Sequence, residues 1–272
     1  MSGRPSAERP LVIVKLGGSV ITRKREVERI RPKVLTRLAH ELVSVKDHRL
    51  IVLHGGGSFG HPGARRFGLA RPPAADDSAS RRSRGAAIVS AEVRRLHGAV
   101  LHALVEAQGS PWSVPMATHA RNRAGALVAL DAAPFGEALE RGLMPVSFGD
   151  VVPDEEWGTS ILSADIIARE LVPTLHPTRV LFLIDVPGIL ENLPGGRRSV
   201  IREVTDEVVR SLKPETSGVD VTGGIRGKAA VMRAIARAGV DAGLISGLTD
   251  GALPRAIRGE TVYGSWAHVR PG

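Results

Sequence analysis

Two apolar runs that each end in glycine limit this fold more than any other feature. LVIVKLGG (11–18) and RLIVLHGGG (49–57) are short, rich in β-branched residues and apolar without alternation. A strand that is apolar on both faces belongs in a parallel sheet with helices above and below it. LMPVSFGD (143–150), RVLFLIDVPG (179–188) and DAGLISG (241–247) read as further strands of this kind. Helical spacing fills the intervals. It covers 32–46, and also 86–108, where Val89, Val93, Leu96, Val100 and Leu104 make one apolar stripe. SADIIARELV (163–172) is a helix opened by Ser163, and GKAAVMRAIARAG (227–239) is one stopped by Gly239. ARPPAADDSASRRSR (70–84) lacks apolar periodicity and reads as a mobile loop or lid, and ENLPGGRRS (191–199) as a hairpin or turn-rich loop. MSGRPSAERP (1–10) reads as a short disordered tail, with no apolar core of a signal peptide.

In an open parallel sheet, ligands collect at the carboxyl ends of the strands. Three glycine segments fall near such places: Gly17-Gly18-Ser19, Gly55-Gly56-Gly57 and Gly223-Gly224, the last just before a helix. Glycine lets backbone N–H groups approach an anion, and a helix start adds a favourable dipole. Either each glycine only makes a tight turn, or the three loops together hold several phosphate groups. Two familiar motifs fail. GGGSFG has the spacing of a dinucleotide fingerprint, but the region where the partner acid should end a second strand is the Pro/Ser/Arg loop. TGGIRGKA approaches a Walker A loop, but Thr222 replaces the first glycine and Ala229 the final Ser/Thr. Ser58 sits in a G-x-S-x-G lookalike with no well-placed acid and base to complete a hydrolase triad.

Composition narrows the chemistry further. The 272 residues include no cysteine, which removes disulfides, thiolate metal sites and cysteine nucleophiles and fits a cytoplasmic protein. No apolar run is long enough to span a membrane. A net charge of +9 invites a nucleic-acid partner, but aromatics are only 3% and the arginines are spread along the chain. Anionic small molecules are the better match, and neither nucleic acid nor membrane is expected as a partner. The polar residues near the glycines are Lys15, Lys24, His61 and Lys228, with Asp150 and Asp165 as nearby acids. Lysines around glycine cradles suit phosphoryl transfer, which needs positioning and charge neutralisation more than a protein nucleophile.

In chain order, VKLGGSVITRK, LHGGGSFGHP, FGDVVPD, ILSADIIA, LFLIDVPGIL and DVTGGIRGK resemble the amino acid kinase superfamily, and most of all its isopentenyl phosphate kinase branch. The resemblance runs from about residue 11 to about residue 262. It implies a three-layer αβα sandwich around a mainly parallel central sheet, one domain over 11–272. An N-terminal acceptor lobe would cover about 11–172 and a C-terminal nucleotide lobe about 173–272. It implies transfer of a phosphoryl group from ATP to isopentenyl phosphate, a homodimer, and a place in isoprenoid biosynthesis by the mevalonate route. Mg²⁺ would ride on the ATP phosphates, without protein ligands.

By the same resemblance, Lys15 would neutralise the transferring phosphoryl group, Lys24 would also reach the ATP phosphates, Lys228 would contact the terminal phosphates from the nucleotide side, and Asp165 would orient the lysines. Nucleotide contacts would come from Lys15, Gly17, Gly18, Ser19, Asp185, Gly188, Gly223, Gly224 and Lys228. The acceptor would meet Gly55, Gly56, Gly57, His61, Asp150 and Gly158. His61 either donates to the acceptor's phosphate or only caps a loop, and Asp150 either meets substrate or caps a strand end. His54 reads as structural. Many relatives carry two adjacent acids where this chain has Asp165 followed by Ile166. A phosphonate kinase of the fosfomycin-resistance type, or a non-catalytic nucleotide- or anion-binding regulator, are the alternatives.

Overall fold

The computed structural model describes residues 9–23, 26–74, 77–192, 196–213 and 224–269. The chain opens with strand β1 (Leu11–Leu16), a single turn α1 (Gly18–Ile21) and helix α2 (Pro32–Ser44). Strand β2 (Arg49–His54), helix α3 (Gly57–Arg66) and the long helix α4 (Ala79–Glu106) follow. Short strands β3 (Pro111–Ser113), β4 (Ala120–Arg123) and β5 (Ala126–Leu130) lead to α5 (Ala133–Glu140). Then come β6 (Met144–Phe148), β7 (Asp150–Asp154), β8 (Gly158–Leu162), α6 (Ala164–Leu175) and β9 (Arg179–Ile184). A hairpin, β10 (Leu190–Asn192) and β11 (Arg198–Val200), precedes α7 (Asp206–Ser211). The described chain closes with α8 (Gly224–Arg237), β12 (Asp241–Ser246), α9 (Ala252–Ile257) and β13 (Gly264–Ala267).

Seven strands form the central sheet in the order β13-β12-β9-β1-β2-β6-β3. Every neighbouring pair is parallel except β12–β13. Alternation along each strand splits the core in two. Ile13, Ile51, Phe182 and Leu244 pack toward α5, α6 and α8, against Phe135, Leu171 and Met232. Val12, Val14, Val52 and Leu181 pack toward α2, α4 and α9, against Leu38, Leu42, Val100 and Leu253. Burial of each such side chain stabilises by about 1.5–3 kcal/mol. The result is the αβα sandwich that the apolar runs imply.

Three local expectations need correction. The run 143–150 is not one strand: β6 stops at Phe148, Gly149 donates to the His54 carbonyl, and β7 begins a second sheet ordered β5-β4-β7-β8. Residues 79–84 are not loop but the first turns of α4, capped by Ser78, whose hydroxyl accepts from Arg81 N at 3.2 Å. Arg82 is buried, donating to Gly68 O at 2.6 Å, and the other five residues are exposed, so an apolar stripe could not reveal these turns. The helix expected over 163–172 runs on to Leu175, where His176 takes the left-handed conformation. The hairpin at 191–199 does form, pairing Glu191 with Ser199 and Asn192 with Arg198. His54 is fully buried, as its structural reading requires.

Candidate active site

β2 lies to one side of β1 and β9 to the other, so the chain changes direction across the sheet at β1. Crevices form at such switch points, beyond the strand carboxyl ends. A cavity of about 300 Å³ opens there, lined by the residues just after β1, β2, β6 and β9.

Its floor is made of two interlocked glycine loops. A Cβ on Gly18 would lie 2.4 Å from the Gly57 nitrogen, and one on Gly57 would lie 2.3 Å from Thr22 Oγ1. Gly57 also has φ 50°, so only glycine fits there without strain. Thr22 fastens the two loops: its hydroxyl donates to Gly18 O at 2.7 Å and accepts from Ser58 N at 3.0 Å. Gly56 and Gly57 open α3 and line the cavity. N–H groups at a helix start have no upstream carbonyl to bond and attract an anion. His61 lies one turn further along α3 and lines the same cavity.

The charged centre is a triad of two lysines and one carboxylate. Lys15 on β1 reaches Asp165 Oδ1 at 2.7 Å, and Lys228 on α8 stands 3.4 Å from Asp165 Oδ2. Ser163 caps α6 by accepting from Asp165 N at 3.2 Å, which places the carboxylate in the helix's first turn. Burial alone would push the Asp165 carboxyl up, but Lys15 and Lys228 outweigh it and hold the group below its usual range. One strand and two helices thus bring a pair of cations to one wall of the cavity. Ser19 donates to Asp185 Oδ1 at 2.9 Å, and Gly224 joins the lining.

Part of the lining is an apolar wall. Val89 and Val93 of α4 share one hydrophobic cluster with Val151 of β7, Ile161 of β8 packs against it, and all four line the cavity. Asp150 holds this wall together. Arg94 donates to both carboxylate oxygens at 3.2 and 3.3 Å, and Ala117 N and Val151 N donate as well. Burial pushes the Asp150 carboxyl up despite these donors. Both of its oxygens are engaged by the protein, and the residue lines the cavity.

The structure brings Lys15, Gly17, Gly18, Ser19, Gly55, Gly56, Gly57, His61, Asp150, Asp185, Gly224 and Lys228 to one lining, with Asp165 beneath the two lysines. Two expected residues are elsewhere. Gly158 sits at the turn end of the β7–β8 hairpin, opposite Asp154, with φ 74°. Gly188 packs where a Cβ would meet Val200 and Ser265 at 2.7 and 2.8 Å. Both glycines answer to backbone needs of their own. Lys24 and Gly223 lie outside the described residues. Val151, Ile161, Thr22 and Arg65 escape the sequence reading, whereas Val89 and Val93 belong to the helix of 86–108 from which the resemblance draws the tail pocket. Arg65 lines the cavity, and its i+4 spacing from His61 on α3 is a signal that could have found it.

The amino acid kinase family model matches residues 10–246. An isopentenyl phosphate kinase from Methanothermobacter thermautotrophicus is 34% identical over 264 residues, covering 94% of this chain and 98% of that protein. An X-ray structure of isopentenyl phosphate kinase superposes with TM-score 0.84 at 29% identity, over 94% of this chain and 99% of that one. A product complex of the Thermoplasma acidophilum isopentenyl phosphate kinase superposes with TM-score 0.76 at 29% identity, over 95% and 100%.

Proposed function

We infer the activity from one premise: the chain belongs to the amino acid kinase family, in its isopentenyl phosphate kinase branch. It transfers the γ-phosphoryl group of ATP to the phosphate of isopentenyl phosphate, giving ADP and isopentenyl diphosphate. The observation that carries this reading is a single cavity with a phosphate cradle, a lysine pair and an apolar wall.

The acceptor's phosphate would sit on the N–H groups of Gly56 and Gly57, with His61 donating to it, and its hydrocarbon tail would lie among Val89, Val93, Val151 and Ile161. Residues of 173–272, including Asp185, Gly224 and Lys228, would receive the nucleotide, and the earlier part of the chain the acceptor. An oxygen of the acceptor phosphate attacks the γ-phosphorus as its bond to the β–γ bridging oxygen breaks. Negative charge spreads over the transferring oxygens at that moment. Lys15 and Lys228, fixed in place by Asp165, stabilise it without reorganisation. Mg²⁺ would supply further neutralisation. The ion would be carried by the ATP phosphates.

A small polar phosphonate would leave the apolar wall uncovered, which disfavours the phosphonate-kinase reading. Retention of Lys15, Asp165 and Lys228 in contact disfavours a non-catalytic regulator. The resemblance also supports a homodimer, testable by light scattering, and a cytoplasmic role in isoprenoid synthesis. No helix among the described residues is long and apolar enough to cross a membrane. The test is ADP release by purified protein with Mg²⁺ and ATP, offering isopentenyl phosphate and fosfomycin in parallel. Turnover of isopentenyl phosphate alone is expected. Turnover of fosfomycin alone, or of neither, would overturn the assignment.

A further inference from the structure

Behind the phosphate cradle lie two buried histidines that the transfer reaction does not use. His54 Nδ1 is 3.2 Å from the Gly55 carbonyl, and its Nε2 is 3.1 Å from His97 Nδ1. His97 Nε2 is in turn 2.8 Å from Ser113 Oγ on the edge strand β3. Both rings pack on Phe148, at centroid distances of 5.5 and 4.3 Å.

One carbonyl fixes the whole chain of protons. Gly55 O can only accept, so His54 Nδ1 carries a proton. The neutral ring then leaves His54 Nε2 as an acceptor, which requires a proton on His97 Nδ1. His97 Nε2 is left to accept from the Ser113 hydroxyl. Burial and nearby cations keep both rings uncharged: His54 is lowered to about 3 and His97 to about 4.

The far end of this chain is the peptide between Gly55 and Gly56. A trans peptide is planar, so its C=O and N–H point in opposite directions. Holding the Gly55 carbonyl toward His54 therefore holds the Gly56 N–H away from it, on the side that lines the cavity. Glycine on both sides of this bond gives it wide rotational freedom, which something must restrict. Gly55 N is already fixed by donating to Leu16 O at 3.0 Å.

We propose that Ser113, His97 and His54 form a directed hydrogen-bond relay that sets the Gly55–Gly56 peptide and so positions the acceptor's phosphate donor. They are positioning residues for acceptor binding, an inference that rests on the assignment of the glycine loop to the acceptor phosphate. Removing a link frees the peptide to rotate. Affinity for the acceptor then falls while the lysine pair, and with it kcat at saturation, is kept.

The test has two independent readings. In ¹⁵N-histidine-labelled full-length protein, long-range ¹H–¹⁵N spectra should show His54 and His97 both as Nδ1–H tautomers, the minority form for free histidine in water. Either ring found as the Nε2–H tautomer, or charged at pH 7, overturns the relay. In steady-state assays, His97→Phe should raise the KM for isopentenyl phosphate about five- to tenfold, with kcat and the KM for ATP within about twofold. His97→Asn keeps a donor near the Nδ1 position and should recover most of the loss. Ser113→Ala, at an exposed strand edge, serves as a variant that folds and should show a smaller rise. Unchanged acceptor KM in folded His97→Phe and Ser113→Ala proteins also overturns the relay. Wild-type protein that leaves isopentenyl phosphate untouched would refute the functional assignment instead, and the tautomers would still be read.

Discussion

Asp165→Asn keeps the side chain's shape and removes the charge that Lys15 and Lys228 share at 2.7 and 3.4 Å. Breaking a buried ion pair by neutralising one partner costs about 3–5 kcal/mol. Unfolding entropy near Tm is about 2.1 cal/mol/K per residue, so for 272 residues the loss corresponds to a drop in Tm of about 5–9 °C. ATP brings its own negative charge to the same two lysines. Saturating nucleotide should therefore raise the variant's Tm by more than it raises the wild type's. Turnover should fall on the order of 10²-fold, because lysines without their common anchor shift by about 1 Å from the reacting phosphate. Thermal denaturation with and without ATP, beside an ADP-release assay, measures all three quantities. An unliganded Tm within about 1 °C of wild type, or an ATP-induced shift no larger than the wild type's, would refute the view that Asp165 holds the lysines by charge.

His61→Ala should raise the KM for isopentenyl phosphate well above any change in ATP affinity, as initial-rate kinetics with each substrate varied would reveal. Gly18→Ala would force a Cβ to 2.4 Å from the Gly57 nitrogen and should abolish acceptor binding, measured by calorimetry. Gly98→Ala, in α4 with nothing within 4 Å of the added Cβ, should instead stabilise by about 0.4–1 kcal/mol in chemical denaturation. Acid should weaken the fold before it reaches the carboxylates. Unfolded histidine protonates near pH 6.5, whereas folded His54 and His97, buried, facing each other and lying near Lys15 and Arg94, resist until about 3 and about 4. Their contribution is full above pH 6.5 and is lost as pH falls toward 4, so Tm should drop between pH 7 and 5 and the drop should shrink in His97→Phe.

The strand-end glycines and the lysine–aspartate centre were legible because each is a local signal: a residue type at the end of an apolar run or the start of a helix. Lys15, Asp165 and Lys228 come from positions far apart, yet each carries its own mark. The mark fails where a glycine serves its own backbone, as at Gly158 and Gly188, since φ and close packing select glycine as strongly as a phosphate does. Asp150 shows a second limit. Its position at a strand end was visible, but its partner Arg94, 56 residues away, was not, and that partner decides what the carboxylate does. The apolar quartet was invisible as a set because Val89 and Val93 look like any core stripe until Val151 and Ile161 fold over against them. The second sheet went unread because its strands are short and three of the four mix polar with apolar residues, while β5, though apolar throughout as ALVAL, is mostly exposed.

Strand β1 is made long before β9, yet it sits between β2 and β9 in the finished sheet. On a ribosome adding about 5–20 residues per second, the 168 residues from Leu16 to Ile184 (184 minus 16) take about 8–34 s to appear. Once β2 is made it can cover one edge of β1, while the other presents unpaired N–H and C=O groups until β9 appears. An open, apolar strand edge is a template for pairing with other chains. The central position that lets Lys15 reach both halves of the cavity therefore makes synthesis the chain's most exposed moment. Nascent chains released before β9 should aggregate, whereas those released after β12 should not.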